Sequence, residues 1–162
     1  MRKPEIIETK IFTLPEMTRR LAQIRFLGKT VTFTNGIFDI IHQGHIFSLS
    51  QAAKEADYLV VGLNSDASTK RLKGNSRPVN DQHSRAIVLS ALLMVDAVVI
   101  FEEDTPLELI KALMPDVIVK GGDYTVDQVA GGKEVIANGG RVVINPIKDG
   151  FSTTGIIQKI QQ

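Results

Sequence analysis

Thr34-Asn35-Gly36-Ile37-Phe38-Asp39-Ile40-Ile41-His42-Gln43-Gly44-His45 is the stretch whose reading decides the fold. Ahead of it, the apolar alternation of Val31 and Phe33 makes Lys29 to Thr34 a short buried strand. Behind it, Ile46, Leu49, Ala53 and Ala56 fall at the spacing of a helix face. The turn between them carries His42 and His45, with Gly44 just ahead of the second. A strand, a glycine-bearing turn and a helix start bring backbone N–H groups and the positive end of a helix dipole together. That is a ready site for an anion, most often phosphate. Two imidazoles three residues apart at such a helix start both lean toward the anion. Asn35-Gly36 is also a strong hairpin signal, but Phe38 to Ile41 leads into a helical pattern and not into an alternating strand. Gly36 is therefore read as a place where backbone approaches a ligand closely, at a strand's carboxyl end, where open α/β sheets bind ligands.

Strands and helices alternate on either side of this stretch. Pro15 to Leu27 is an amphipathic helix stopped by Gly28, and Tyr58 to Leu63 is apolar enough to be a strand buried on both faces. Lys70 to Arg77 is basic and has no clear period. Asp81 to Leu93 reads as a helix, Ala97 to Phe101 as a strand, and Thr105 to Leu113 as a helix capped by Asp104 or Thr105 and ended by Pro115. Asp116 to Lys120 is another strand. Gly131 to Asn138 reads as a helix stopped by Gly139-Gly140, Arg141 to Ile144 as a strand, and Ser152 to Ile160 as a last helix. Such alternation means an open parallel sheet with helices on both faces. No repeat, low-complexity tract or linker divides the chain, so residues 1–162 are expected to form a single domain.

Composition narrows the function. A net charge of +1 argues against a nucleic-acid coat, and the lack of cysteine excludes disulfides, thiolate metal sites and cysteine nucleophiles. No apolar run approaches the ~18 residues of a membrane span, and Met1 to Lys10 lacks a signal peptide's apolar centre. The expectation is a cytoplasmic protein with small-molecule partners, neither nucleic acid nor membrane.

Three further places carry candidate chemistry. Lys70, Arg71, Lys73, Arg77 and Arg85 put five cations within sixteen positions; they read either as a solvated face or as neutralisers of phosphate charge. Ser152-Thr153-Thr154 after Gly150 opens a helix, so its hydroxyls cap that helix, hold an anion, or both. Lys120-Gly121-Gly122-Asp123-Tyr124 follows a strand end, where two glycines either let backbone lie against a flat ring or simply form a turn. Asp39, Asn64 and Asp66 sit at strand or turn ends facing the same crevice. Asp39 could orient an imidazole or a substrate, or cap its turn. The bland reading of the histidines is a satisfied His42 and an ordinary first-turn His45. A metal pair is disfavoured, because no third ligand is evident.

Gly36-Ile37-Phe38-Asp39 followed by His42-Gln43-Gly44-His45 resembles the H-x-G-H signature of the cytidylyltransferase-like nucleotidyltransferases. Asn64-Ser-Asp-Ala-Ser-Thr-Lys-Arg-Leu-Lys-Gly74, Arg77-Pro78-Val79-Asn80, Phe101-Glu-Glu-Asp-Thr-Pro106, Lys120-Gly-Gly-Asp-Tyr124 and Asp149-Gly-Phe-Ser-Thr-Thr154 look like one branch, the adenylyltransferase domain of ADP-heptose synthases. The resemblance runs from about Lys29 to Ile160. It implies a Rossmann-like sheet and transfer of AMP from ATP to D-glycero-D-manno-heptose 1-phosphate, with pyrophosphate leaving in line and Mg2+ accompanying the phosphates. His42, His45 and Lys73 then act as catalytic donors and cations. Gly36, Ile37, Phe38, Gly44, Gly121, Gly122, Asp123, Ser152, Thr153 and Thr154 line the nucleotide, and Asp39, Asn64, Asp66, Lys70, Arg77 and Arg85 the acceptor. Phe151 and His83 depart from the pattern, which leaves local packing and Arg85's partner open. By analogy with relatives a homodimer is expected, though no stretch marks its interface. The alternatives are a sister enzyme such as a glycerol-3-phosphate cytidylyltransferase, and a non-catalytic nucleotide-binding regulator on the same fold.

Overall fold

A computed structural model describes residues 4–146 and 153–160. Among these, six strands form one sheet: β1 (Ile11–Phe12), β2 (Val31–Gly36), β3 (Tyr58–Asn64), β4 (Ala97–Phe101), β5 (Val117–Gly121) and β6 (Arg141–Asn145). Their order is β1-β4-β3-β2-β5-β6 and every pairing is parallel. Side chains alternate across each strand, so Val31, Phe33 and Val60 enter one core while Leu59, Val61 and Leu63 enter the other. That two-sided burial is why β3 reads as a continuous apolar run.

Helices α1 (Leu14–Phe26), α5 (Leu107–Leu113) and α6 (Gly132–Ala137) cover the first face through Met17, Leu21, Ile24, Leu109, Leu113 and Val135. Helices α2 (Gln43–Ala53) and α4 (Gln82–Ser90) cover the second through Leu49, Ala52, Ala86 and Leu89. Leu21 is fully buried, and truncating it to alanine would cost about 2–5 kcal/mol. Local signals agree with this packing. Thr13 and Glu16 form a capping box ahead of α1, and Gly28 follows the helix in a left-handed conformation at φ 70°.

The expected parallel sheet is present, with three differences. The two-residue β1 is too short to show a period. The basic segment is partly helical: α3 (Asp66–Lys73) buries Ser68 and Thr69 where an apolar stripe would have announced it. Helix α5 starts at Leu107 with Pro106 at its cap position, beyond the Asp104 and Thr105 expected there.

The topology also makes a crevice. From β2 the chain builds outward to β3 and β4 on one side and to β5 and β6 on the other. The carboxyl ends of β2 and β5 therefore lie beside each other where the strand order reverses, the usual ligand position in such sheets. Among the described residues no helix is long and apolar enough to cross a membrane.

Candidate active site

His42 has extended backbone (φ −140°, ψ 173°) and caps α2 with its own ring, Nδ1 accepting the Gly44 N–H at 3.1 Å. That bond keeps the neutral ring's proton on Nε2. It also occupies the Gly44 amide, so Gly44, expected to line the nucleotide, serves the cap and is not among the cavity-lining residues. The His45 ring stacks on His42 with centroids 3.8 Å apart and 25° between planes, and leans on Phe38 at 5.3 Å. Burial, helped by the charge His42 would carry, pushes His45 down to about 4 against the pull of the Ile40 carbonyl. Burial lowers His42 as well. Near neutral pH the pair is therefore two uncharged rings, each carrying a single N–H.

Phe38 is held at φ 48°, a left-handed conformation rare outside glycine. Its ring is nearly buried and closes over Gly36, where an added Cβ would stand 2.9 Å from Phe38 Cε2. The neighbour that a side chain at Gly36 would meet is thus the Phe38 ring. Gly36, Ile37 and Phe38 all line the cavity.

Asp39 is the hub of the turn. Its carboxylate is fully buried and accepts from Arg77 Nε at 2.6 Å, from the Val79 N–H at 2.9 Å and from the Asn80 N–H at 2.9 Å. Burial alone would raise its pKa, but the Asn80 and Val79 amides and Arg77 outweigh this and hold it below the usual carboxylate range. The Asn80 side chain donates back to the Asp39 carbonyl at 2.8 Å. The segment 77–80 is thereby tied to the histidine turn from some forty positions away.

Arg85 departs further from its expected role as a substrate contact. Its side chain has no exposure and does not line the cavity. Nε donates to the Asn80 carbonyl at 3.0 Å, Nη1 to the carbonyls of Ile37 (2.6 Å) and Asn64 (2.9 Å), and Nη2 to Asp66 Oδ1 at 2.7 Å. One guanidinium thus joins the histidine turn, the end of β3 and the end of the 77–80 segment. Its fork geometry suits carbonyls arriving from three directions. Asp66 is spent on this bond, and Lys70 is exposed away from the cavity.

The cavity at the crevice measures about 520 Å³. Asp39, His45, Asn64, Lys73, Arg77, Thr153 and Thr154 of the expected residues line it. His42 stands one ring behind, stacked on His45. Thr153 opens α7 (Thr153–Ile160) and donates to the Ile40 carbonyl at 3.4 Å, which links that helix to the turn. Ser152 lies outside the described residues. Gly121, Gly122 and Asp123 are not lining residues; from that segment the wall takes Lys120 and Tyr124. Asn35, Leu72, Asp104, Thr105, Pro106, Ile118, Gln128, Val129 and Ala130 complete the wall, and the sequence assigns none of them a site role. Lys120 gave a usable signal, a lysine inside an apolar strand and next to its end. Among the described residues no group of three His, Cys, Asp or Glu could hold a metal ion.

An α/β sheet with a paired-imidazole turn at its switch point and cations in the cavity wall defines a nucleotide-binding transferase of the H-x-G-H type. Residues 33–159 match the profile of the Cytidylyltransferase-like family, and the chain belongs to that family of nucleotidyltransferases. It is 56% identical over 152 residues to the "Bifunctional protein HldE" of Shigella flexneri serotype 5b, and 55% identical to that of Escherichia coli K12. Each match takes in 94% of this chain and 32% of the relative, so the chain spans about a third of the length of these curated relatives. Among solved structures it is similar to a lipopolysaccharide core biosynthesis protein from Thermoplasma volcanium, with a TM-score of 0.61 and 32% identity over 75% of this chain and 98% of that one. A pantoate–β-alanine ligase from Francisella tularensis shares the fold alone, with a TM-score of 0.61 at 13% identity, covering 90% of this chain and 69% of the ligase.

Proposed function

We propose that the protein is an ATP-dependent adenylyltransferase that converts D-glycero-D-manno-heptose 1-phosphate to ADP-heptose and pyrophosphate, a step toward lipopolysaccharide core. The observation that carries this reading is the neutral histidine pair at the switch point, with His45 lining one cavity whose wall also holds Lys73, Arg77 and Thr153. The heptose branch is supported by the similarity to HldE over 94% of the chain and to a lipopolysaccharide core biosynthesis protein.

In the proposed reaction an oxygen of the sugar phosphate attacks the α-phosphorus of ATP. The new P–O bond forms as the bond to the bridging oxygen breaks, and that oxygen leaves with pyrophosphate. The nucleophile is already an anion, so no general base is needed. Charge grows on the non-bridging oxygens and on the leaving group, where preorganised donors and cations lower the barrier. His42 and His45 supply N–H donors that carry no charge of their own to be neutralised beforehand. Lys73 and the hydroxyls of Thr153 and Thr154 meet the outer phosphates. Asp39 and Arg85 bind neither ligand; they hold the turn that does.

Magnesium, when bound, neutralises phosphate charge and comes in with the nucleotide, because the described residues offer it no cage of carboxylates. The compartment this reading assigns is the cytoplasm, and a homodimer is expected by analogy. The test is pyrophosphate release with ATP and heptose 1-phosphate, run beside CTP with glycerol 3-phosphate. Release in the first pair alone supports the reading; release in the second alone moves the protein to the sister branch. ATP binding with no release in any pair would make it a nucleotide-binding regulator.

A further inference from the structure

Among the described residues the arginines around the crevice are paired, while the two lysines of the cavity wall are not: Lys73 is exposed and Lys120 is half-buried. Arg77 is matched by Asp39, Arg85 by Asp66 and Arg71 by Asp104. Lys120, the next-to-last residue of β5, is half-buried in the cavity wall, and among the described residues no carboxylate lies within 4.0 Å of its ammonium. What it does have is neutral. Nζ donates to Asn35 Oδ1, across the crevice at the end of β2, at 3.3 Å, and stands 5.4 Å from the centre of the Tyr124 ring. Withdrawal from water lowers its pKa, the mark of a charge that its surroundings solvate poorly.

An ammonium kept partly dry without a counter-charge is costly, and such groups are retained where a ligand completes them. Three geometric facts say what kind of ligand. The group lies where the strand order reverses, it faces the cavity that His45 and Lys73 also line, and two of its three N–H donors have no hydrogen-bonding partner among the described residues. A compact cation with donors to spare matches a phosphoryl oxygen. Asn35 and Tyr124 both contact the ammonium, so the charge is positioned before the ligand arrives.

We propose that Lys120 is a further catalytic residue, holding a phosphoryl oxygen at the crevice between β2 and β5 opposite the histidine pair. This rests on the adenylyltransferase reading for the identity of the ligands. The oxygen can come from the nucleotide or from the acceptor's phosphate, and the two are separable by experiment.

Lys120→Met keeps most of the stem's packing and removes the charge. Affinities of the wild type and the variant are measured by calorimetry for Mg-ATP and for heptose 1-phosphate separately, together with kcat, KM and melting temperature. The variant is expected to melt no lower than the wild type, because a poorly solvated charge has gone. A ten- to hundredfold weaker affinity is expected in one arm. Loss in the ATP arm assigns the oxygen to the nucleotide, and loss in the heptose phosphate arm assigns it to the acceptor. A tenfold or larger fall in kcat with both affinities intact assigns it to the transition state. Affinities within twofold in both arms with kcat also within twofold would overturn the proposal, as would a lowered melting temperature with unchanged kinetics, which is the behaviour of a purely structural tie. If the wild type turns over no sugar phosphate at all, the adenylyltransferase reading fails, while the ATP arm still reports on Lys120.

Discussion

Replacing Arg85 by methionine tests whether the histidine turn is held in place from behind. The guanidinium has no exposed surface and is the donor for three backbone carbonyls, those of Ile37, Asn64 and Asn80. Methionine fills much of the volume but donates nothing. Each carbonyl left without a partner costs about 1–3 kcal/mol if it stays dry. Asp66 is a third exposed and can rehydrate, so its loss adds little. Some relaxation toward water brings the total to about 3–5 kcal/mol, the usual result of breaking a buried charged network. Set against a typical stability of about 5–15 kcal/mol, this variant folds but marginally, with a melting temperature lower by about 6–20 °C. Urea denaturation followed by circular dichroism measures the loss directly. Below the melting range kcat should fall at least tenfold, because the Ile37 carbonyl anchors the turn that carries both histidines, while the KM for the sugar phosphate changes little. A destabilisation under about 1 kcal/mol, or an intact fold with a KM raised a hundredfold, would refute this and return Arg85 to direct substrate contact.

Three other perturbations probe the rest of the site. By proton NMR, His45 should stay neutral through pH 5.5 and titrate near 4. Because that value lies below the unfolded ~6.5, its effect on stability is nil above about pH 6.5 and becomes a progressive loss as the pH falls toward 4. Asp39→Asn forces an amide NH2 against the Val79 and Asn80 N–H groups or Arg77; a loss of about 2–4 kcal/mol is expected, with faster amide exchange at residues 77–80. Gly36→Ala pushes on the Phe38 ring and through it on His45, so turnover should drop more steeply than melting temperature.

The strand, turn and helix around the histidines were legible because each follows a local rule: alternation in Val31 and Phe33, a turn without period, and apolar positions at helical spacing after Gly44. The parallel sheet followed from the same rule applied down the chain. Helix α3 escaped because its inward face is made of Ser68, whose hydroxyl accepts from Asn64 and donates to the Glu103 carbonyl, and of Thr69, neither of which contributes to an apolar period. The bond between Asp39 and Arg77 and the burial of Arg85 escaped for a different reason. Charge and spacing announce that a residue is ionic, but not whether its partner is a ligand or a carbonyl forty residues away. The cations were therefore sorted by proximity to a motif, whereas burial sorts them otherwise: Lys73 and Arg77 onto the cavity wall, Arg85 behind it and Lys70 outside. The crowding at Gly36 was hidden on similar grounds, since the ring that packs over it lies two positions on, at a residue with a left-handed backbone.

The single carboxylate of Asp39 serves both the turn and the 77–80 segment, which divides the pocket into parts that tolerate change very differently. Whoever wishes to retrain this scaffold for a new acceptor should leave the Asp39–Arg77–Arg85 keystone alone, since loosening one stone there drops the arch. The rim is the place to work. Leu72, Thr105 and Gln128 border the same cavity from three separate segments and, among the described residues, share no side-chain bond with that keystone, so they can be redrawn one at a time.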